Sequence, residues 1–591
     1  MLRFSLFCLA LGLAACATTP PPGLDPRPEN PALATAPESP AARYRPALET
    51  LAPADLNPGV EGSATGEPGM SHKGEMTGMN PAAGRPAPTN AILYACPMHP
   101  EKRHSAPGKC PPLRHEPEAR GAGPGGPAMK RLLGALLLGL ATAGCATTNP
   151  QGAFSSASRP VAERSSLEPA WPRDSASTAD LAARAKALLA EPLTPTNAAQ
   201  VALWQNPGLL ADLEELGISQ ADYAQATRIA NPSLDFFARR PNRPGLATNV
   251  EIGLIQGLLD PLLLPLRKRM AAAELEAAKL RVGQRMLDLI AETKEAFAEH
   301  RAADRLVERL GVIVEIEEAA TTFAERQRAA GNLPQLHLEE QQALLAETKI
   351  DKVHAEVTAR SARERMQRLM GLSGAATEWT SAEMSLDSPA DELPASGLES
   401  LAIRDRLDLG AARAAVDLVG RALALRRSSR FFPGGVNIGI SREHDTDRIR
   451  VTGPVLVIEL PIFDTGAASI ARLESEHRRA ERQLEELAIR VRSEVREQTD
   501  RFVAARDLAR YYRDSVLPRR VRILDQTLRH YNSMLKGVYD VLLAKRMEVE
   551  AEKAAIESWR DAWVARFRLE RALGGRLPTQ TAAEAPEGGS R

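Results

Sequence analysis

From Leu266 to Ala330 the chain runs for about 65 residues without a proline, with Ala, Leu, Ile and Val recurring between Glu, Arg and Lys at helical spacing. At 1.5 Å per residue such a helix is about 100 Å long, and no compact globular domain buries a rod of that length. A rod with only an apolar stripe must lie against partners along its side, as in a coiled coil or a tube. A second run from Gly466 to Lys536 repeats the pattern, with a kink or interruption predicted at Pro518. Aromatic residues make up 4% of the chain and charged residues 25%, a balance that suits long helices better than an enzyme core. The formal net charge is +0, so no overall field holds nucleic acid, and no nucleic-acid partner is expected.

The two rods belong to an internal repeat. From Thr194 the sequence falls into halves, about 194–390 and 395–575, that carry the same signals in the same order at an offset near 200 residues. Asn206-Pro207-Gly208-Leu209 corresponds to Arg406-Leu407-Asp408-Leu409, and each opens an amphipathic helix expected to end at Asn231-Pro232 or Phe432-Pro433. Two short extended segments follow in each half, then a corner at Asp260 or Asp464, then a long helix broken at Gly331 or Gly537, then a returning helix. Glycine lets the backbone leave the helix at these breaks, and Pro334 suits the first turn of the next one.

The extended segments alternate strictly. Val250, Ile252 and Leu254 face one way and Asn249, Glu251 and Gly253 the other; Val436, Ile438 and Ile440 oppose Asn437, Gly439 and Ser441 in the same manner. In a sandwich this means core inside and water outside, and in a transmembrane barrel lipid outside and a wet lumen inside. No second sheet is available for a sandwich, so the setting favours the barrel. Four strands cannot close one, since the smallest has about eight, and oligomerisation follows.

This order, with Gly453-Pro454, Leu460-Pro461-Ile462-Phe463-Asp464-Thr465-Gly466, Val516-Leu517-Pro518 and Tyr531 to Gly537, resembles the TolC-like outer-membrane factors over residues 194–575. Two details depart from the family pattern: Leu407 stands where it usually has proline, and Pro261 where its strand corner has glycine. The fold class implied is mainly α with a small β part: long α-helical hairpins forming a periplasmic α-barrel, plus four strands per chain in a trimeric outer-membrane β-barrel. The resemblance also implies a homotrimer that docks a periplasmic adaptor (membrane fusion) protein and an inner-membrane pump of the RND type. The hairpin tips, Gly331, Asn332, Leu333, Pro334 and Gly537, Val538, Tyr539, Asp540, are its adaptor-docking and gating positions. Asp540 has two readings, a carboxylate ring selecting cations around a threefold axis or a helix N-terminal carboxylate favoured by the macrodipole.

The first part of the chain carries two export signals. Met1-Leu2-Arg3, an apolar run and Leu13-Ala14-Ala15-Cys16 resemble a lipoprotein signal peptide, residues 1–16, and Met129-Lys130-Arg131 through Thr142-Ala143-Gly144-Cys145 repeat the grammar in residues 129–145. Both runs are far short of the roughly 20 residues that span a bilayer, so a lipid on Cys16 or Cys145 is the anchor. Residues 17–93, rich in Pro, Ala and Gly, read as a disordered linker, with Met70, His72, Met76 and Met79 as loosely spaced soft ligands. Residues 94–118 resemble a degenerate heavy-metal-binding segment in which Cys96, Met98, His99 and Cys110 offer thiolate, thioether and imidazole groups to Cu(I), Ag(I) or Zn(II). That family continues with a second cysteine followed by Gly-Met, where this chain has Leu113-Arg114-His115. A shift of one base restores Cys-Gly-Met for suitable codons, so two reading frames joined around residues 111–129 would account for both signals. Residues 146–193 read as an extended N-terminal segment and 576–591 as a disordered tail.

No HExxH, GxSxG, P-loop or dinucleotide fingerprint is present, and His300, His337, His354, His477 and His530 read as solvated helix-surface residues. The chain is therefore expected not to be an enzyme and to require no cofactor. The expected role is the outer-membrane channel of a tripartite efflux system, a passive duct for copper or silver ions or small toxic compounds. The alternative is a periplasmic metal-binding lipoprotein with a helical scaffold.

Overall fold

The computed structural model describes residues 30, 32–35, 94–96, 99–104 and 150–578, apart from 384–386, 388, 390, 391, 395 and 432–434. The chain divides into two units, Leu51–Thr147 and the remainder. In the smaller unit the antiparallel strands β1 (Tyr94–Cys96) and β2 (His99–His104) form a hairpin.

The larger unit opens with α1 (Gln151–Ser165), α2 (Ser175–Ala190), α3 (Pro195–Gln205) and α4 (Pro207–Ala226). Their starts are written in the sequence. The Asp174 carboxylate accepts from Ser177 N at 2.7 Å, Thr194 Oγ1 from Asn197 N at 3.1 Å and Asn206 Oδ1 from Leu209 N at 2.9 Å. Pro195 and Pro207 follow the last two caps, where a missing N–H costs nothing. Strands β3 (Ser233–Arg239) and β4 (Asn249–Gly257) lead into α5 (Leu259–Ala329), which returns as α6 (Gln335–Met370).

The second half repeats this with α7 (Leu398–Asp405), α8 (Leu407–Ser429), β5 (Val436–His444), β6 (Arg450–Ile458), α9 (Ala467–Tyr511), α10 (Leu517–Asn532) and α11 (Val538–Ala572). At the position of the Asn206 cap stands Arg406, whose guanidinium pairs with Asp408 at 2.7 Å and Glu494 at 2.6 Å, while Asp408 Oδ1 accepts from Leu409 N at 2.8 Å. An ion-pair anchor thus replaces the Asn-Pro start, which accounts for a leucine where the repeat has Pro207.

Helix α5 begins earlier than its proline-free run, with Pro261 in its first turn and Pro265 inside it. Both α4 and α8 end a few residues before the prolines expected to stop them. Between α9 and α10 the backbone makes one π-helical turn, Tyr512–Val516, ending just before Pro518, so the predicted interruption is a local widening.

One core lies among α1, α3, α4, α5 and α6 and includes Phe154, Trp171, Trp204, Leu213, Met286, Phe297 and Met370. A second joins α7, α8, α9 and α11 through Ile403, Leu409, Leu484, Val491, Phe502 and Leu569. Smaller clusters, such as Ala302 with Ile556 and Trp559 and Leu310 with Ile313 and Val549, continue along α5 and α11. Ion pairs Arg568–Glu295 at 3.0 Å, Lys294–Glu570 at 3.1 Å and Arg571–Asp288 at 2.7 Å cross the same seam. Burial pushes the Glu295 carboxyl up.

Residues 146–193, read from sequence as an extended segment, instead contain the helices α1 and α2, and three further local findings differ from the sequence reading. His300 and His477 are buried, and His300 meets the Trp379 ring edge-on at 5.2 Å. Desolvation, helped by Arg363 and Arg301, lowers His300 to about 4, so it is held neutral. Within the segment whose composition indicated a linker, Ala32 is buried in the second core, and its carbonyl and that of Leu33 accept from Arg413 at 3.0 Å and Arg492 at 2.9 Å.

Candidate transmembrane sheet and helical tips

Strands β3 to β6 form one antiparallel sheet in sequence order, so the repeat's two hairpins meet through β4 and β5. Register places Leu234, Leu254, Ile440 and Pro454 in one cross-strand row, Phe236, Ile252, Arg442 and Thr452 in the next, and Gln256, Ile438 and Leu456 on the other side. Residues directly opposite share a face, so this face is a nearly continuous apolar surface. It is also bare: Leu234 is 69% exposed, Phe236 63% and Leu456 62%. The opposite face carries Asp235, Arg239, Asn249, Glu251, Gly253, Asn437, Gly439, Ser441 and Glu443, with apolar residues at Phe237 on β3, Ile255 on β4 and Val451, Val455 and Val457 on β6. The alternation read from sequence thus becomes two faces of opposite character, neither covered by a second layer.

Gly439 shows how closely the halves are joined. A Cβ there would stand 2.4 Å from the Leu254 carbonyl oxygen, so the β4–β5 contact requires glycine. At the far ends the loops meet through Ala247 N donating to Thr446 O at 3.0 Å, and Asn249 Nδ2 donates to Glu443 at 2.6 Å and Asp445 at 3.2 Å. Among the described residues no helix is long and apolar enough to cross a membrane.

The tips lie at the opposite ends of the long helices from the sheet, and the two are built differently. Gly331 takes φ +77°, and Asn332 N donates to Gln327 O at 2.9 Å, a Schellman closure of α5. Arg328 clamps the turn by donating to the Leu333 carbonyl at 3.2 Å and Gln335 Oε1 at 3.1 Å. Pro334 is the residue before α6, one position outside the first turn expected for it. In the second tip the left-handed residue is Met534, at φ +60°, and Gly537 is extended at φ −84° as the cap of α11. The helix therefore breaks three residues before the glycine that signalled it, and Met534, 94% exposed, was not found from sequence because methionine carries no turn signal.

Asp540 closes the first turn of α11. It accepts from Gly537 N at 2.9 Å and Lys536 Nζ at 3.0 Å, and these two donors hold its carboxyl below the usual carboxylate range. Tyr539 joins the tips: its hydroxyl meets Gln327 Oε1 at 3.2 Å and its ring meets Phe323 at 5.5 Å. The structure thus brings the two predicted quartets to one end of the molecule, with Val538 starting α11 between them.

Of the metal candidates, Cys96 and His99 stand opposite each other across the β1–β2 hairpin. Met98 and Cys110, and both lipidation candidates Cys16 and Cys145, lie outside the described residues. Among the described residues no group of three or more His, Cys, Asp or Glu is arranged to hold a metal.

Residues 93–111 match the family model described as a heavy metal binding domain. No curated protein sequence matches the chain. The fold is shared with outer-membrane channels. The CmeC outer membrane channel of Campylobacter jejuni superposes with a TM-score of 0.56 at 14% identity, over 65% of this chain and 86% of that one. CusC, a protein whose structures concern transmembrane channel formation, gives 0.54 at 16%, over 64% and 92%. The open state of the Neisseria gonorrhoeae MtrE outer membrane channel gives 0.51 at 20%, over 64% and 88%.

Proposed function

We propose that this chain is the outer-membrane channel of a tripartite efflux system and works as a homotrimer. The observation that carries this reading is the sheet: four strands, bare on both faces, one of them apolar, with too few strands to close alone. Three copies supply twelve strands, enough for a barrel with its apolar face to lipid and Asp235, Glu251 and Glu443 toward a wet lumen. At 1.5 Å per residue the 71 residues of α5 extend about 107 Å, long enough to line a tunnel across the periplasmic space. A lipid on Cys16 or Cys145 adds a membrane anchor.

In this arrangement the paired tips dock a periplasmic adaptor protein, which couples the duct to an inner-membrane pump of the RND type. The duct itself is passive. The heavy-metal-binding match upstream supports Cu(I) or Ag(I) as cargo, with small toxic compounds as the wider class. The same match is the observation behind a second reading, a periplasmic metal-binding lipoprotein on a helical scaffold.

Planar-bilayer recording on the purified intact chain separates the two. The efflux reading expects discrete conductance steps and, in cells lacking their own channel, copper or silver tolerance that depends on the helical tips. Tight metal binding without conductance would establish the second reading instead.

A further inference from the structure

The apolar face of the sheet is not uniform from end to end. Near the ends of the strands joined to helices it carries Val436, Ile458 and Gln256, followed by the bare side chains of Leu460, Ile462 and Phe463. Near the hairpin loops it changes to Arg442, His444 and Arg450, with Arg448 in the β5–β6 turn at φ +72°. Arg450 lies directly opposite His444, and Arg442 opposite Thr452, so the two arginines are diagonal neighbours on adjacent strands. At about 7–8 Å such neighbours are within joint reach of one anion.

Both arginines are exposed, and neither has an ion-pair partner among the described residues. The strand residues of their face include no carboxylate, since Asp235, Glu251 and Glu443 all belong to the other face. Like charges side by side are unfavourable unless a counter-ion joins them. The adjoining turn carries Asp445, which accepts from Asn249 and Thr446 N, and Asp447, which accepts from Ile449 N, so the strand face itself offers the arginines no counter-ion. At about 3.3 Å per residue, Arg450 lies about 26 Å along β6 from Ile458 and the Arg442–Thr452 pair about 20 Å, so both cations stand at the loop end of the apolar face.

We propose that Arg442 and Arg450, assisted by His444, form a seat for the phosphate groups of phosphorylated glycolipid in the outer leaflet. This rests on the barrel reading above, which turns the apolar face to lipid and the hairpin loops away from the periplasm. Arginine suits the task because its planar fork meets two phosphate oxygens at once. The strand carboxylates thus all lie toward the lumen, joined there by Arg239, while Arg442 and Arg450 lie toward headgroups. The seat fixes the height of the barrel in an asymmetric membrane and favours its insertion from the correct side.

The test is native mass spectrometry of the purified intact chain from detergent, with added lipid A, the same lipid enzymatically dephosphorylated, or phosphatidylcholine. The wild type is expected to retain lipid A selectively, R442Q/R450Q to bind it about tenfold or more weakly, and R442K/R450K to fall between, as charge-assisted bonds require. Equal retention of phosphorylated and dephosphorylated lipid, or full retention by R442Q/R450Q, overturns the seat. The same samples are recorded in bilayers of phosphatidylcholine alone. Conductance there with no phosphate selectivity removes only the seat, whereas a wild type that neither trimerises nor conducts removes the channel reading and the seat with it.

Discussion

The outgoing helices of the two halves follow one plan and differ in continuity. Helix α5 is unbroken from Leu259 to Ala329 and buries residues as far as Ala324. Its counterpart is interrupted at Tyr512–Val516, and the α10 segment beyond buries none of its residues. Both must reach the same end of the molecule, because Tyr539 joins their tips. Burial along α5 makes it the spine against which α6, α8 and α11 rest, so a break there would cost several clusters at once. A break beside Pro518 costs little within one chain, because α10 holds so little there. Half of the repeat is a strut and half is a strut with a joint.

The comparison is broken most severely where the returning helices α6 and α11 end against the starts of α4 and α8. Gly371, at φ +68°, ends α6 with the Gln205 carbonyl 2.3 Å from where a Cβ would stand; its counterpart Gly574, at φ +92°, has Asp405 at 3.2 Å. Gly371→Ala is expected to cost about 3 kcal/mol or more, combining left-handed strain with the clash, and Gly574→Ala about 1–2 kcal/mol. Urea unfolding in detergent followed by circular dichroism checks the order; equal losses would mean that the two joints are equivalent.

His300 gives the first half an acid sensitivity of its own. Its folded pKa, about 4, lies below the ordinary 6.5, so the unfolded chain takes up the proton first as pH falls. Stability from this site is intact above pH 6.5 and is lost progressively toward pH 4, by up to about 3 kcal/mol. His300→Leu should flatten that part of the pH–stability curve, and an unchanged curve would show that other groups govern it.

At the joint in the second half, Pro518→Ala restores a backbone donor and removes a ring that crowds the preceding turn. Hydrogen exchange at Tyr512–Val516 should slow, with a net gain of about 1 kcal/mol, the restored bond and relieved crowding outweighing the unfolded-chain freedom that the proline had removed. Continued fast exchange would assign the π turn to its surroundings. The smallest effect belongs to the tip. Asp540→Ala removes the acceptor for Gly537 N and Lys536, so the first turn of α11 should exchange faster while cation selectivity in bilayers stays unchanged. In the wild type that cap is present at neutral pH and lost as pH falls through the depressed carboxyl pKa. Altered selectivity would return Asp540 to the role of a pore charge.

Much of this architecture was legible because it is periodic. Strand alternation fixed which residues share a face, and a proline-free run located the longest helix to within one residue at its end and seven at its start. The helix start at Asn206-Pro207 and a disturbance at Pro518 were also legible from local chemistry. What escaped depended on contacts distant in sequence. His300 looks like any polar residue on a long helix until Trp379 covers it, and Ala32 looks like linker until Arg413 and Arg492 claim the backbone beside it. The second tip was displaced because Gly537 is the stronger turn signal, whereas the left-handed conformation falls on Met534 and the glycine serves the next helix. The cations of the outward face were visible as letters, but their isolation from carboxylates needed the register.

The account turns on a sheet that closes only when shared, and the most direct measurement is the mass of the purified protein particle. Light scattering corrected for bound detergent, on the intact chain extracted from outer membranes, should give three chains per particle. A single chain per particle, stable in buffer without detergent, would contradict it.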